Sequence, residues 1–140
     1  MTRAEAEAVG PDPGRARDFI AQAKRFLADA ERASTHLESA VVLYWSTCIS
    51  AMDAVLACAG WRIGRGQDSH AVRIETVRGV LGAGFEDLCD RLDEWRRERH
   101  DVSYAAITPS AADVAAMQTD ARDIVAAAED FFRRVETGSP

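Results

Sequence analysis

The stretch FEDLCDRLDEWRRERHDVSY, residues 85–104, limits the possible folds more than any other part of this chain. Phe85, Leu88, Leu92, Trp95, Arg99 and Val102 follow one another at steps of three and four, which puts all six on one face of an α-helix. Every member but Arg99 is apolar, and an apolar stripe of that width has to be buried against other elements. Arg99 carries a charge it cannot shed, and burying it unpaired costs on the order of several kcal/mol. Three arrangements satisfy it. The stripe lines a cleft, or Arg99 meets a carboxylate across the core, or its stem packs while its head reaches water.

The same period runs through the rest of the chain. Phe19, Ala23, Phe26, Leu27 and Ala30 predict a helix over 15–33, with Arg15, Arg17, Lys24, Arg25 and Arg32 on its solvated face. A second helix to about residue 61 is capped by Ser34 or Thr35, with Glu38 at capping-box spacing. Leu37, Val41, Tyr44, Trp45, Cys48, Met52, Val55 and Ala59 form its stripe, yet its other side is small or apolar too, as suits a helix packed on several sides. Asp53 is the sole acid between Ser39 and Gln67, which makes it the candidate partner of Arg99. Gly60, Gly64 and Gly66 open a loop, and Asp68 or Ser69 caps a short helix over 70–81. The fourth helix covers 85–106. Thr108-Pro109-Ser110 then starts a fifth over 111–135, with Val114, Met117, Ala121, Ile124, Val125, Ala128, Phe131, Phe132 and Val135 along its stripe.

Runs of β-branched residues, alternation and hairpin turns are missing, so no strand is expected. The fold class is therefore all-α: an antiparallel bundle of four long helices and one short one, joined by short links. Residues 1–14 read as a flexible arm, 15–135 as a single domain and 136–140 as a frayed tail.

Composition narrows the function. A net charge of −6 and a pI near 5.0 argue against nonspecific binding to a nucleic-acid backbone, although a local basic patch is still allowed. Cys48, Cys58 and Cys89 lie in helical segments without a CxxC spacing and read as small buried hydrophobes of a cytoplasmic protein. No uninterrupted apolar run of about 18 residues occurs, so no membrane is expected. Phosphate-loop, dinucleotide, nucleophile-elbow and zinc-protease motifs are all missing, and His36, His70 and His100 are scattered. Neither a metal nor a cofactor is expected.

The chemistry concentrates in DRLDEWRRERHDVSY. Asp93 can pair with Arg96 and Arg97 at helical spacing, which on a surface stabilises by only a few tenths of a kcal/mol, roughly. Arg96, Arg99, His100 and Tyr104 form the candidate ligand-binding group. A histidine beside an arginine, with a phenol one turn on, is able to hold a phosphate or handle a proton, so Arg99, His100 and Tyr104 are also the candidate catalytic residues.

On these residues the chain resembles the HEPN domain family of small all-helical proteins, over about residues 16–135. ESAVVLYWSTCISAMDAVLA is similar to the family's second helix, with Ala40, Tyr44, Ala51, Asp53, Ala54 and Leu56 at small, aromatic and acidic positions. AGWRIGRGQDSHAVRIETV resembles the glycine-containing loop of small bacterial members, and RRERHDVSYA the family signature. In members that cleave RNA, that signature is an arginine followed four to six residues later by a histidine, and dimerisation unites two copies into a metal-independent site. Arg99 matches the arginine and His100 the polar residue after it, while Tyr104 stands where the histidine would be. A phenol with a pKa near ~10 is a poor general base at neutral pH. The resemblance thus implies a homodimer that binds RNA, a nucleotide or a partner protein around RHDVSY, with a nucleotidyltransferase or antitoxin as possible partner in a toxin–antitoxin or defence setting. The alternative is a noncatalytic adaptor or oligomerisation domain with a structural Arg99–Asp53 pair.

Overall fold

The computed structural model describes residues 2–33, 36–105 and 109–138, with 99–105 described by their backbone alone. The chain is predominantly all-α. Its elements in order are β1 (Ala6–Ala8), α1 (Pro13–Arg32), α2 (Leu37–Ala59), β2 (Trp61–Ile63), α3 (Ser69–Leu81), α4 (Glu86–Ala105) and α5 (Ala111–Thr137). Four long helices and one short one match the expected bundle, and element ends fall within two residues of those read from the sequence.

The caps match less well. Asp12 starts α1 by accepting from the Arg15 amide at 3.0 Å, with Pro13 in the first turn. Ser110 and Asp113 form a reciprocal capping box on α5, where the Pro109-Ser110 signal put one. At α2 the residue before the helix is His36, which makes no side-chain cap bond; Ser34 and Thr35 lie outside the described residues. Asp68 precedes α3 in a left-handed conformation (φ 59°), and its carboxylate caps nothing. The expected side-chain cap is therefore not formed there.

The largest departure is a sheet. β1 and β2 pair antiparallel, with Ala6 opposite Ile63, Glu7 opposite Arg62 and Ala8 opposite Trp61. Beyond it, the Gly64 amide donates to the Glu5 carbonyl, the Ala4 amide to the Gln67 carbonyl, and the Gln67 amide to the Thr2 carbonyl, at 2.9–3.1 Å. The segment expected as a flexible arm thus lies along the loop after α2, with Ala4 buried beneath it. β1, three residues of alanine and glutamate, carries no β-propensity signal, and Trp61 and Ile63 of β2 are too short a run to make one. The strands form because a loop packed on a bundle has backbone donors and acceptors to satisfy.

α2 is the centre of the bundle, with thirteen of its residues buried on the surrounding elements. It is also the described helix long and apolar enough to cross a bilayer, but 67% of that window is buried inside the fold. α1 meets α2 through Ala16, Ala23 and Ala30, spaced by sevens and fully buried, so the two helices approach closely. On α5, Val114, Met117, Ala121, Ile124, Val125 and Ala128 are buried as expected, whereas Val135 is exposed because the helix runs on past the core. Arg17–Glu136, Lys24–Glu129 and Arg122–Glu31 link α1 and its C-terminal turn to α5 across the surface, each a minor contribution at such exposure.

Candidate functional site

α4 stands on its apolar stripe as the spacing predicts. Leu88, Cys89 and Leu92 are buried, and Phe85 and Trp95 pack against the same core. The side chains of Arg99, Val102, His100 and Tyr104 lie outside the described residues. Their backbone belongs to the last turns of α4, so position 99 is one turn along the helix from Trp95.

The acids of the core have arginine partners. Asp53 accepts from Arg73 Nε of α3 at 2.8 Å, with both side chains largely shielded. Arg73 is thus a partner of Asp53, while the pairing with Arg99 that the sequence suggested lies outside the described residues. Arg73 Nη1 also lies 2.6 Å from His70 Nδ1. A guanidinium only donates, so that ring nitrogen accepts. His70 in turn stands edge-on to Trp45.

Asp120 of α5 is more deeply buried than Asp53, at 3% exposed. Its Oδ1 accepts from Arg91 Nε at 2.7 Å and its Oδ2 from Trp95 Nε1 at 2.8 Å. Both donors come from α4, so one carboxylate fastens two turns of that helix to α5. Hydrogen bonding to Asp120 in turn raises the pKa of Arg91. The sequence does hold a signal for it: Asp120 lies three residues after Met117 and four before Ile124, inside the apolar stripe of α5.

Between α4 and α5 runs an open groove of about 460 Å³ lined by Arg91, Glu94, Trp95, Glu98, Thr119 and Asp120, among others. Trp95 is half-buried there and held by its indole N–H. Beside the groove, Asp93 accepts from Arg96 Nε at 2.8 Å and from Arg97, the pairing that helical spacing predicts. Arg96 is therefore placed on α4 next to the RHDVSY segment with its charge shared.

Partial burial pushes the Asp93 carboxyl up, but the hydrogen bonds and charges of Arg96 and Arg97 outweigh it and hold its pKa below the usual value. A carboxyl lowered on folding stabilises the fold above its unfolded pKa of about 3.9, and the contribution is lost as pH falls through the folded value. Asp93→Asn is thus expected to lower the melting temperature at pH 7 by an amount corresponding to about 1 kcal/mol or less. The gap to the parent should close below about pH 4; melting curves at pH 7, 5 and 3 check this, and a gap constant with pH would refute it.

Cys48, Cys58 and Cys89 are free thiols, all buried. Burial pushes all three pKa values up, that of Cys58 to about 11, so none ionises readily. Among the described residues no cluster of three metal-ligating side chains occurs. No family model matches the chain, and neither does a curated protein or a solved structure.

Proposed function

We propose that this chain is a HEPN-like binding module that acts as a homodimer, two copies meeting along α4 to unite their RHDVSY segments into one site for RNA or a nucleotide. The observation that carries the reading is the groove beside Trp95, between α4 and α5, which Glu94 and Glu98 of α4 also line. Around that groove α4 presents charges of both signs, with Glu94 and Glu98 in its lining and Arg96 and Arg97 tied to Asp93. A two-fold pairing of such a helix with itself sets the acids of one copy against the arginines of the other.

The dimer also answers an electrostatic difficulty. A chain of net charge −6 attracts a polyanion only through a local concentration of positive charge. The proposed dimer brings two copies of Arg99 to one site toward that end, whereas Arg96 and Arg97 are each tied to Asp93. With Tyr104 at the position where a base would stand, the reading is one of binding, and a nucleotidyltransferase or antitoxin remains the partner that the resemblance implies.

Light scattering at micromolar concentration is expected to give a dimer, and a clean monomer would overturn the composite site. Arg99→Ala is expected to abolish binding of single-stranded poly(U) RNA and of ATP while the melting temperature stays within about 2 °C of the parent, as for a surface change. A drop of several degrees with binding intact would instead make Arg99 a structural residue.

A further inference from the structure

A second concavity, of about 320 Å³, has no lining residue on α4. It is walled by the segment 9–12, by α1, α2 and α3, and by β2. Its rim is set by backbone bonds: the amides of Val9 and Gly10 both donate to the Gly60 carbonyl, at 2.8 and 3.2 Å, and the Asp12 amide donates to the Ala57 carbonyl at 2.9 Å. A cleft whose rim is held this way is preformed, and its size is at the small end of the roughly 300–1,000 Å³ usual for ligand pockets.

The lining chemistry is specific. Arg73 is occupied by Asp53 and His70, and Arg62 lies directly across the sheet from Glu7, which takes its Nη2 at 2.8 Å. Arg15 differs from both. Its guanidinium stacks over the Phe19 ring, 5.3 Å from the centroid, and has no carboxylate partner among the described residues. Beside it in the lining are Val9 and Trp61, two of the four large hydrophobic residues left exposed among the described residues. With Arg73 matched by Asp53 and Arg62 by Glu7, Arg15 is the lining guanidinium without a described carboxylate partner.

We propose that this cleft binds a small monoanion bearing a flat ring, an aromatic or heteroaromatic carboxylate. The carboxylate is held by the fork of Arg15, which matches it in a bidentate fashion. The ring lies against Trp61 and Val9, where apolar surface is otherwise left to water. A dianion such as a nucleoside monophosphate is disfavoured, because Asp12 and Asp53 line the same space and Arg15 alone of its arginines is not shared with a described carboxylate. The site goes beyond the dimer reading and does not depend on it.

The test uses indole-3-acetate as probe, with indole and acetate as its separate halves and adenosine monophosphate as the dianion. The indole N–H resonance of Trp61, assigned by its loss in Trp61→Phe, is expected to shift saturably with indole-3-acetate. Arg15→Gln should weaken that binding at least tenfold, and each half alone should bind at least tenfold more weakly than the whole. Neither variant is expected to change the light-scattering mass or RNA binding, so failure here is separable from failure of the α4 site. No saturable shift, affinity retained in Arg15→Gln, or tighter binding of adenosine monophosphate would each overturn the proposal.

Discussion

Asp120→Ala is expected to be one of the two most damaging substitutions in this chain, lowering the melting temperature by roughly 10 °C. The carboxylate is almost fully buried and takes Arg91 Nε on one oxygen and Trp95 Nε1 on the other. Alanine leaves both donors without an acceptor. Breaking a buried charged pair costs about 3–5 kcal/mol, but Arg91 is nearly half exposed and recovers part of this from water. The stranded indole N–H adds about 1 kcal/mol. A net loss of about 3 kcal/mol follows. Asp120→Asn is expected to recover little, since an amide offers a single oxygen to two donors and turns its own N–H₂ toward one of them. Thermal melts of both variants and of Arg91→Ala measure this; an asparagine variant as stable as the parent would show that one of the two bonds contributes nothing. Because the same carboxylate fixes Trp95 in the α4–α5 groove, Asp120→Ala should also weaken the proposed dimer.

Asp120 shows why the fold was legible and the polar connections were not. The bundle follows from period alone: Leu88 and Leu92 on α4, Met117 and Ile124 on α5, and Cys48 and Met52 on α2 are buried where their spacing puts them. Period says which face a residue occupies, and nothing about which helix lies opposite. Asp53 is recognisable as an acid on an apolar helix in need of a cation, yet its bond to Arg73 depends on how α3 is set against α2, which no local pattern encodes. The β1–β2 ladder is invisible for a related reason. Its residues, Ala6–Ala8 and Trp61–Ile63, pair because the chain ends of α1 and α2 bring two loops together, and backbone groups of any sequence then bond. The cleft beside Arg15 inherits that blindness, since its rim is made of those same loops.

Gly60→Ala is expected to loosen that junction and to cost a similar amount, about 3 kcal/mol, or again roughly 10 °C in melting temperature. Gly60 ends α2 at φ 88°, in the left-handed region, where a Cβ costs about 1 kcal/mol or somewhat more. The second cost is steric. A Cβ at this position would lie 2.9 Å from both the Gly10 carbonyl carbon and the Pro11 nitrogen, and backbone atoms cannot swing aside as a side chain does. The segment 9–12 must then move, and with it go the bonds that Val9 and Gly10 donate to the Gly60 carbonyl and Asp12 to that of Ala57. Asparagine separates the two costs, because it tolerates the left-handed region but still carries a Cβ. Gly60→Asn should be nearly as unstable as Gly60→Ala if close approach dominates. Amide exchange should then quicken at Ala6–Gly10 in both variants while the α2 and α5 cores stay protected. An asparagine variant close to the parent in stability would assign the loss to backbone conformation instead, and would mean that the N-terminal segment has room to shift.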